Sequence, residues 1–270
     1  MKKNKKILFS ILIIAIITCI IITIPIVNFI KSSNEYYRNE KRILIPIFVY
    51  HDIVDELTAE EFMQTTKENF EKQIVGLSKL GYKFINYDSL IKYNNGQEKL
   101  NEKSILIAFD DGYVGNYEIM YPIIQKYNIP VTINIIDDRI GKDGYLNWEQ
   151  IKQMEESGLV SIYTHSLHHE DPNTVENYKY AQDIEKAHKN IEEQLGKEVT
   201  KVFTYPYGLN NEEKIKILGE KGFVQNLTDN KVNNSEDLNL NKLHREYPLN
   251  DSVAKILIKT IYRNIRYGGK

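Results

Sequence analysis

The stretch Ser104–Gly112, SILIAFDDG, carries no charge over its first six residues and then turns abruptly to two carboxylates and a glycine. An Ile-rich run without polar alternation reads as a strand covered on both faces, the pattern of parallel sheets. The acids and the glycine mark where that strand leaves the core. The same grammar recurs on either side. Ile43–Tyr50, Pro130–Ile136, Leu159–Thr164, Lys201–Tyr205 and Phe223–Leu227 are short apolar runs of the same kind. Helical spacing fills the gaps. Thr65 followed by Glu68 predicts a capping box, Phe70, Ile74 and Leu77 a single apolar stripe, and Gly81 a stop. Further helices are predicted over Asn116–Tyr127, Trp148–Ser157, Val175–Leu195, Asn211–Glu220 and Asp251–Arg263. Strand and helix alternating about six or seven times argue for a parallel α/β sheet, closed or open.

Composition narrows the class. The chain has 270 residues, 42% hydrophobic and 27% charged, with one Cys. That suits one ordinary domain or two small ones, and excludes a disulfide scaffold, a proline-rich fibre and a wholly disordered chain. The first thirty residues differ from the rest. Lys2, Lys3, Lys5 and Lys6 precede Ile7–Ile24, which holds no charged residue, and Ile26–Ile30 continues the apolar character beyond Pro25. A helix of about 20 apolar residues spans a bilayer. A cleaved signal peptide would carry a shorter core and small residues at a cleavage site, and no Ala-x-Ala occurs here. A lipid-modified Cys19 fits less well, because the apolar run continues past it. Residues 1–30 therefore read as one N-terminal transmembrane helix, an uncleaved anchor crossing the membrane through residues 7–24. Residues 31–42 read as a polar stalk, and 43–270 as the folded domain. The lysines before the span place the N-terminus inside, so the expectation is a single-pass protein of the cell membrane with its domain extracellular. Beyond residue 31 there are 30 Lys and Arg against 37 Asp and Glu, a balance of about −7. No basic patch appears, which argues against a nucleic-acid partner.

In parallel α/β folds ligands bind beyond the C-terminal ends of the strands. Four strands present polar residues there: His51–Asp52, Asp110–Asp111–Gly112, His165–Ser166–Leu167–His168–His169, and Tyr205–Pro206–Tyr207–Gly208. Each alone is a sequence that turns and solvated loops also use. Their occurrence at successive strand ends makes a site. His165 and His169 are four apart, so a helical turn would put both imidazoles on one face. One carboxylate with two imidazoles is an open site for a divalent ion such as zinc. Such an ion acidifies water and polarises a carbonyl, as hydrolysis of an unactivated amide or ester requires. The second carboxylate is then available as a general base. Adjacent side chains of an extended backbone face opposite ways, so the two Asp residues divide these roles, in either order.

AFDDG (Ala108–Gly112), HSLHH (His165–His169) and FTYPYG (Phe203–Gly208) resemble, in order and spacing, the three main motifs of the polysaccharide deacetylases, the chitooligosaccharide-deacetylase-like carbohydrate esterases. IPIFVYHDI (Ile45–Ile53), NFEKQIVGLSKLGYKFI (Asn69–Ile85) and LNWEQIKQMEESGLVSI (Leu146–Ile162) look like the branch that acts on the poly-N-acetylglucosamine of biofilms. The likeness covers roughly residues 43–249. It implies a distorted (β/α) barrel of about seven units. It also implies Asp110 as general base and Asp111, His165 and His169 as metal ligands. The ion would be zinc first, with cobalt, nickel or iron as alternatives. The Tyr207 backbone N–H would stabilise the oxyanion, a role that oriented donors fill well. The reaction would remove N-acetyl groups from the polysaccharide and release acetate. His168 is a rival for His169, since members of the family space their histidines differently. Trp148 resembles the family's helix-start Trp and is expected to pack rather than to stack on sugar.

Two positions depart from the family. Its third motif often begins with an Arg that braces the base, and Thr204 stands there. Its fifth motif supplies a His as general acid. His244, in LNKLHREYPL (Leu240–Leu249), falls in the right region, and Arg245 fits the pattern of the biofilm branch as well. His188, in the charged helix, reads as solvated. Two alternatives keep the fold: a peptidoglycan N-acetylglucosamine deacetylase, and a non-catalytic glycan-binding protein.

Overall fold

In the computed structural model the described residues are Ile24, 43–58 and 63–267. Ile43–Lys270 forms one compact unit. The expected anchor and stalk fall outside the described residues, Ile24 apart. Among the described residues no helix is long and apolar enough to cross a membrane.

Seven strands make an α/β barrel: β1 (Ile47–Tyr50), β2 (Ser104–Asp111), β3 (Val131–Ile135), β4 (Val160–Thr164), β5 (Val202–Thr204), β6 (Val224–Leu227) and β7 (Leu243–His244). They pair in parallel, in the order β7-β6-β5-β4-β3-β2-β1. The ring nearly closes just past β7. There Glu246 N–H donates to Ile47 O and Val49 N–H donates to Glu246 O, both at 3.0 Å. The short strand Lys83–Ile85 lies along the first residues of β2. Seven helices are described: α1 (Lys67–Lys79), α2 (Tyr87–Asn94), α3 (Tyr121–Tyr127), α4 (Trp148–Glu156), α5 (Asn177–Leu195), α6 (Glu212–Glu220) and α7 (Val253–Tyr267).

Alternation along the strands sorts the core into two layers. Ile47, Leu106, Ala108, Tyr163, Val202, Val224 and Leu243 cluster inside the barrel with Tyr87 and Leu90 of α2. Phe48, Ile105, Ile107, Phe109, Ile133 and Ile162 face outward against Phe70, Ile74, Leu77, Met120, Ile124, Ile151 and Met154. Each such side chain, fully buried, stabilises the fold by about 1.5–3 kcal/mol. The parity continues past the apolar residues. Leu106 and Ala108 lead to Asp110, Tyr163 to His165, Ile47 to His51, and Leu243 to Arg245. The barrel interior therefore delivers polar side chains to one rim.

Local details differ from the sequence expectations. The cap of α1 is Thr66, whose hydroxyl accepts from Asn69 N, one residue later than expected; Thr65 and Thr66 both pair with the strand Ile53–Val54 before the helix begins. Asn116–Met120 forms a π-helical segment before α3. Trp148, half-buried, packs against the outer core, behind a capping box made by Asn147 and Gln150. His188 is not solvated. It is 4% exposed on α5, its ring edge-on to Phe223 at 5.5 Å.

Candidate metal centre and active site

Asp110 and Asp111 end β2, and both carboxylates approach His165 Nε2, at 4.0 and 3.4 Å. The left-handed backbone of Asp111, φ 73°, turns its carboxylate away from the strand's alternation. Its Oδ1 lies 3.4 Å from His165 Nε2 and 3.5 Å from His169 Nε2. The three ligand atoms all fall within 4.8 Å of one another. Four of the seven described non-glycine residues with positive φ are Asp111, Ser166, His169 and Tyr207, all in the three motifs. Such conformations cost about 1–2 kcal/mol each and collect where a site demands them. His165 and His169 thus meet across an irregular loop and not on a helical turn. Ser166 closes that loop, its hydroxyl accepting from His169 N–H at 2.8 Å.

The protonation of the cluster suits a cation. His165 Nδ1 donates to the Thr204 carbonyl at 2.9 Å, which leaves its Nε2 lone pair aimed at Asp111. A hydrogen bond from the ring nitrogen that faces away from the ion fixes the tautomer of a ligating imidazole. Burial holds His165 neutral, pushing it down to about 3, and lowers His169 as well. Burial, then the charge of Asp110, raises Asp111 to about 7. The Asp111 Oδ1 is buried and has no hydrogen-bond partner. An orphaned carboxylate oxygen between two imidazole nitrogens is costly unless something positive sits there. Asp111, His165 and His169 fit a divalent ion. His168 faces elsewhere, its Nδ1 bonded to Asp138.

Asp110 lies beside this cluster and is held differently. Arg245 donates to both its oxygens, at 2.8 and 2.7 Å, and Asn134 Nδ2 donates to Oδ1 at 2.8 Å. Burial alone would raise its pKa. The Arg245 charge, followed by His165 and the hydrogen bonds, overcomes this and keeps the carboxylate well below its ordinary range. Thr204, where an Arg was the family expectation, supplies its carbonyl to His165 and its hydroxyl to Asn226. The brace arrives instead from the segment after β7.

His244 sits one residue before that brace, on the opposite parity, with Nδ1 bonded to Asp229 at 2.8 Å. Tyr207, in the rim loop after β5, is 64% exposed, with its ring edge-on to His169 at 4.6 Å. His51 is buried, stacks on Tyr247 at 5.9 Å, and leaves its Nδ1 without a hydrogen-bond partner. Burial lowers it to about 4, Asp110 opposing this and Arg245 and His169 reinforcing it. Asn134 and Tyr247 carry no motif of their own. Arg245 fits the pattern of the biofilm branch, and its inward parity with Leu243 is the signal that could have named Asp110 as its partner.

A protein-family model described as polysaccharide deacetylase matches residues 97–225. The Bacillus subtilis protein YxkH, named for the same family, is 29% identical over 214 residues, covering 79% of this chain and 75% of its own. The poly-beta-1,6-N-acetyl-D-glucosamine N-deacetylase of Staphylococcus aureus is 28% identical over 201 residues, 70% of this chain and 68% of its own. Among solved structures, the Streptococcus pyogenes deacetylase PplD, in complex with acetate, superposes with a TM-score of 0.74 at 22% identity, covering 81% of this chain and 98% of that one. IcaB of Ammonifex degensii gives 0.69 at 24%, covering 80% and 97%. These two likenesses concern the fold.

Proposed function

From the premise that this chain belongs to the polysaccharide deacetylase family, we propose that it is a membrane-anchored, metal-dependent hydrolase that removes N-acetyl groups from extracellular poly-N-acetylglucosamine. One observation carries the chemistry: the buried, unpartnered Asp111 Oδ1 between the Nε2 atoms of His165 and His169, next to a carboxylate held ionised by Arg245. The named activity of the Staphylococcus aureus relative supports the choice of polymer. The apolar run over residues 7–24 supports the anchor.

In this reading Asp110 takes a proton from the water that attacks the acetamide carbonyl. A carboxylate of low pKa is a weak base, so that water must be made more acidic. Asp111, His165 and His169 would hold a divalent ion, which would supply this acidity and polarise the carbonyl. The Tyr207 backbone N–H donates to the carbonyl oxygen as its charge grows. The C–N bond then breaks, acetate leaves, and the amine nitrogen of the sugar must gain a proton. His244 is the acid expected from the resemblance. His51 competes for that role, since it shares the inward parity of Asp110 and leaves its buried Nδ1 without a hydrogen-bond partner.

The test is acetate release from β-1,6-linked N-acetylglucosamine oligomers by the full-length protein in detergent, with zinc, with chelator, and with Asp110→Asn alongside. Metal-dependent release lost in the variant is expected. Release from peptidoglycan fragments alone would move the substrate to the cell wall. Silence on both, with metal bound, would leave a glycan-binding protein.

A further inference from the structure

Glu246 closes the barrel, and yet it buries a carboxylate. It is 2% exposed, with both backbone groups bonded to the β1 strand. An apolar residue would pack this outward face without desolvating a charge. The carboxylate is held instead by the C-terminal helix α7, where Thr260 Oγ1 donates to it at 2.8 Å and Arg263 pairs with it. One residue earlier, Arg245 points into the barrel and grips Asp110. Successive side chains of a strand face opposite sides, so these two pairings are the two faces of a single register.

That register needs a determinant beyond its ladder. β7 spans two residues and pairs with β6 at Asn226↔Leu243 and Leu227↔His244. Toward β1 the only strand bridge among the described residues is Phe48↔Glu246. A slip of one residue would exchange the two faces. A slip in one direction would bring Glu246 to Asp110, and a slip in the other would bring Arg245 to Arg263, like charge against like in either case. The opposed charges penalise the wrong register and reward the right one.

We propose that Glu246, gripped by Thr260 and Arg263, is a positioning residue that fixes the register of the closing strand and so delivers the Arg245 guanidinium to Asp110. Only the kinetic arm of its test rests on the deacetylase reading. The first readout is NMR of the full-length protein. Guanidinium N–H protons bonded to a buried carboxylate exchange slowly, and those of Arg245 are assigned by their loss in Arg245→Met. Glu246→Gln and Arg263→Met should broaden or lose them while far-UV circular dichroism is unchanged. Arg263→Lys, which keeps the charge, should retain them. The second readout is kinetic. Glu246→Gln should lower kcat about tenfold to a hundredfold with KM unchanged, and should cause no further loss in an Arg245→Met background.

Retention of both the resonances and kcat in Glu246→Gln would overturn the proposal. So would an equal loss of kcat in the Arg245→Met background, the mark of a merely structural role. If Glu246→Gln does not fold, Arg263→Met, made at a side chain 17% exposed, gives the same reading. If the wild type releases no acetate, the deacetylase reading falls and the NMR result still decides the role of Glu246.

Discussion

Arg245 and Asp110, 135 residues apart in the chain, meet inside the barrel through two bonds of 2.8 and 2.7 Å that match a guanidinium fork to a carboxylate. Both are buried, so removing one partner strands the other. Arg245→Met should destabilise the fold by about 3–5 kcal/mol. Asp110→Asn in the same background should recover much of that loss, because no ionised carboxylate is then left without its counter-ion. Urea unfolding of the two single variants and the double variant measures the coupling. Simply additive losses would mean that the pair does not act as a unit.

Metal uptake should be governed by one proton. In the metal-free cluster burial holds His165 neutral and lowers His169, whereas burial and then Asp110 lift Asp111 to about 7. A ligating carboxylate must be deprotonated. Below pH 7 the apparent affinity for zinc should therefore rise about tenfold per pH unit, and it should flatten above. Calorimetry in buffers of different ionisation enthalpy counts the protons released. An affinity constant between pH 5.5 and 7 would contradict the assignment.

The general acid can be identified by changing the leaving group. Loss of the acid costs about 10²–10⁴-fold on an acetamide, whose amine cannot leave unprotonated, and little on an activated aryl acetate. On the parity of the strands, His51→Ala should show that selective loss, and His244→Ala should affect both substrates alike. The opposite pattern would return the role to His244.

Much of this site could be read from residue order, and what could not has a physical reason. SILIAFDDG marks a buried strand and its rim because apolar burial and turn chemistry are local. Asp111, His165 and His169 converge as the motifs implied, but a spacing of four did not mean a helical turn. The loop bends through positive φ at Ser166 and His169, a backbone choice that tertiary packing makes. Arg245 fits the pattern of the biofilm branch, but its grip on Asp110 is not legible there, since that partner is on a strand far away in sequence. His188 looked like one more charged-face residue of α5, yet it lies on the buried face with Ile184, Ala187 and Ile191.

His188 should make the fold acid-sensitive. Burial lowers its pKa, with Glu192 opposing. The folded pKa is thus below the unfolded value of about 6.5. Its contribution is intact above that value and is lost as pH falls below it. His188→Leu should narrow the stability difference between pH 7.5 and 5.5 in urea unfolding with chelator present, which holds the other histidines the same in both proteins. An unchanged difference would sink the idea.

Gly208 is the last position where a small change should reach the chemistry. Its φ is +69°, and a Cβ there would stand 2.5 Å from the Thr228 carbonyl oxygen. Gly208→Ala therefore combines a left-handed backbone penalty of about 1–2 kcal/mol with a backbone clash. Two functional groups lie along the displaced atoms. Tyr207, whose N–H serves the oxyanion in our reading, is the preceding residue, at φ 59°. Thr228 Oγ1 accepts from Arg245 Nη2 at 2.5 Å, so pushing Thr228 disturbs the clamp on Asp110. The variant should melt several degrees lower and lose about 10–100-fold in kcat at a temperature where it is fully folded. The KM for the oligomer should change little, because neither group is placed to bind the rest of the polymer. A fall in thermal stability with kcat intact would show that the turn supports the fold without setting the geometry of the reaction.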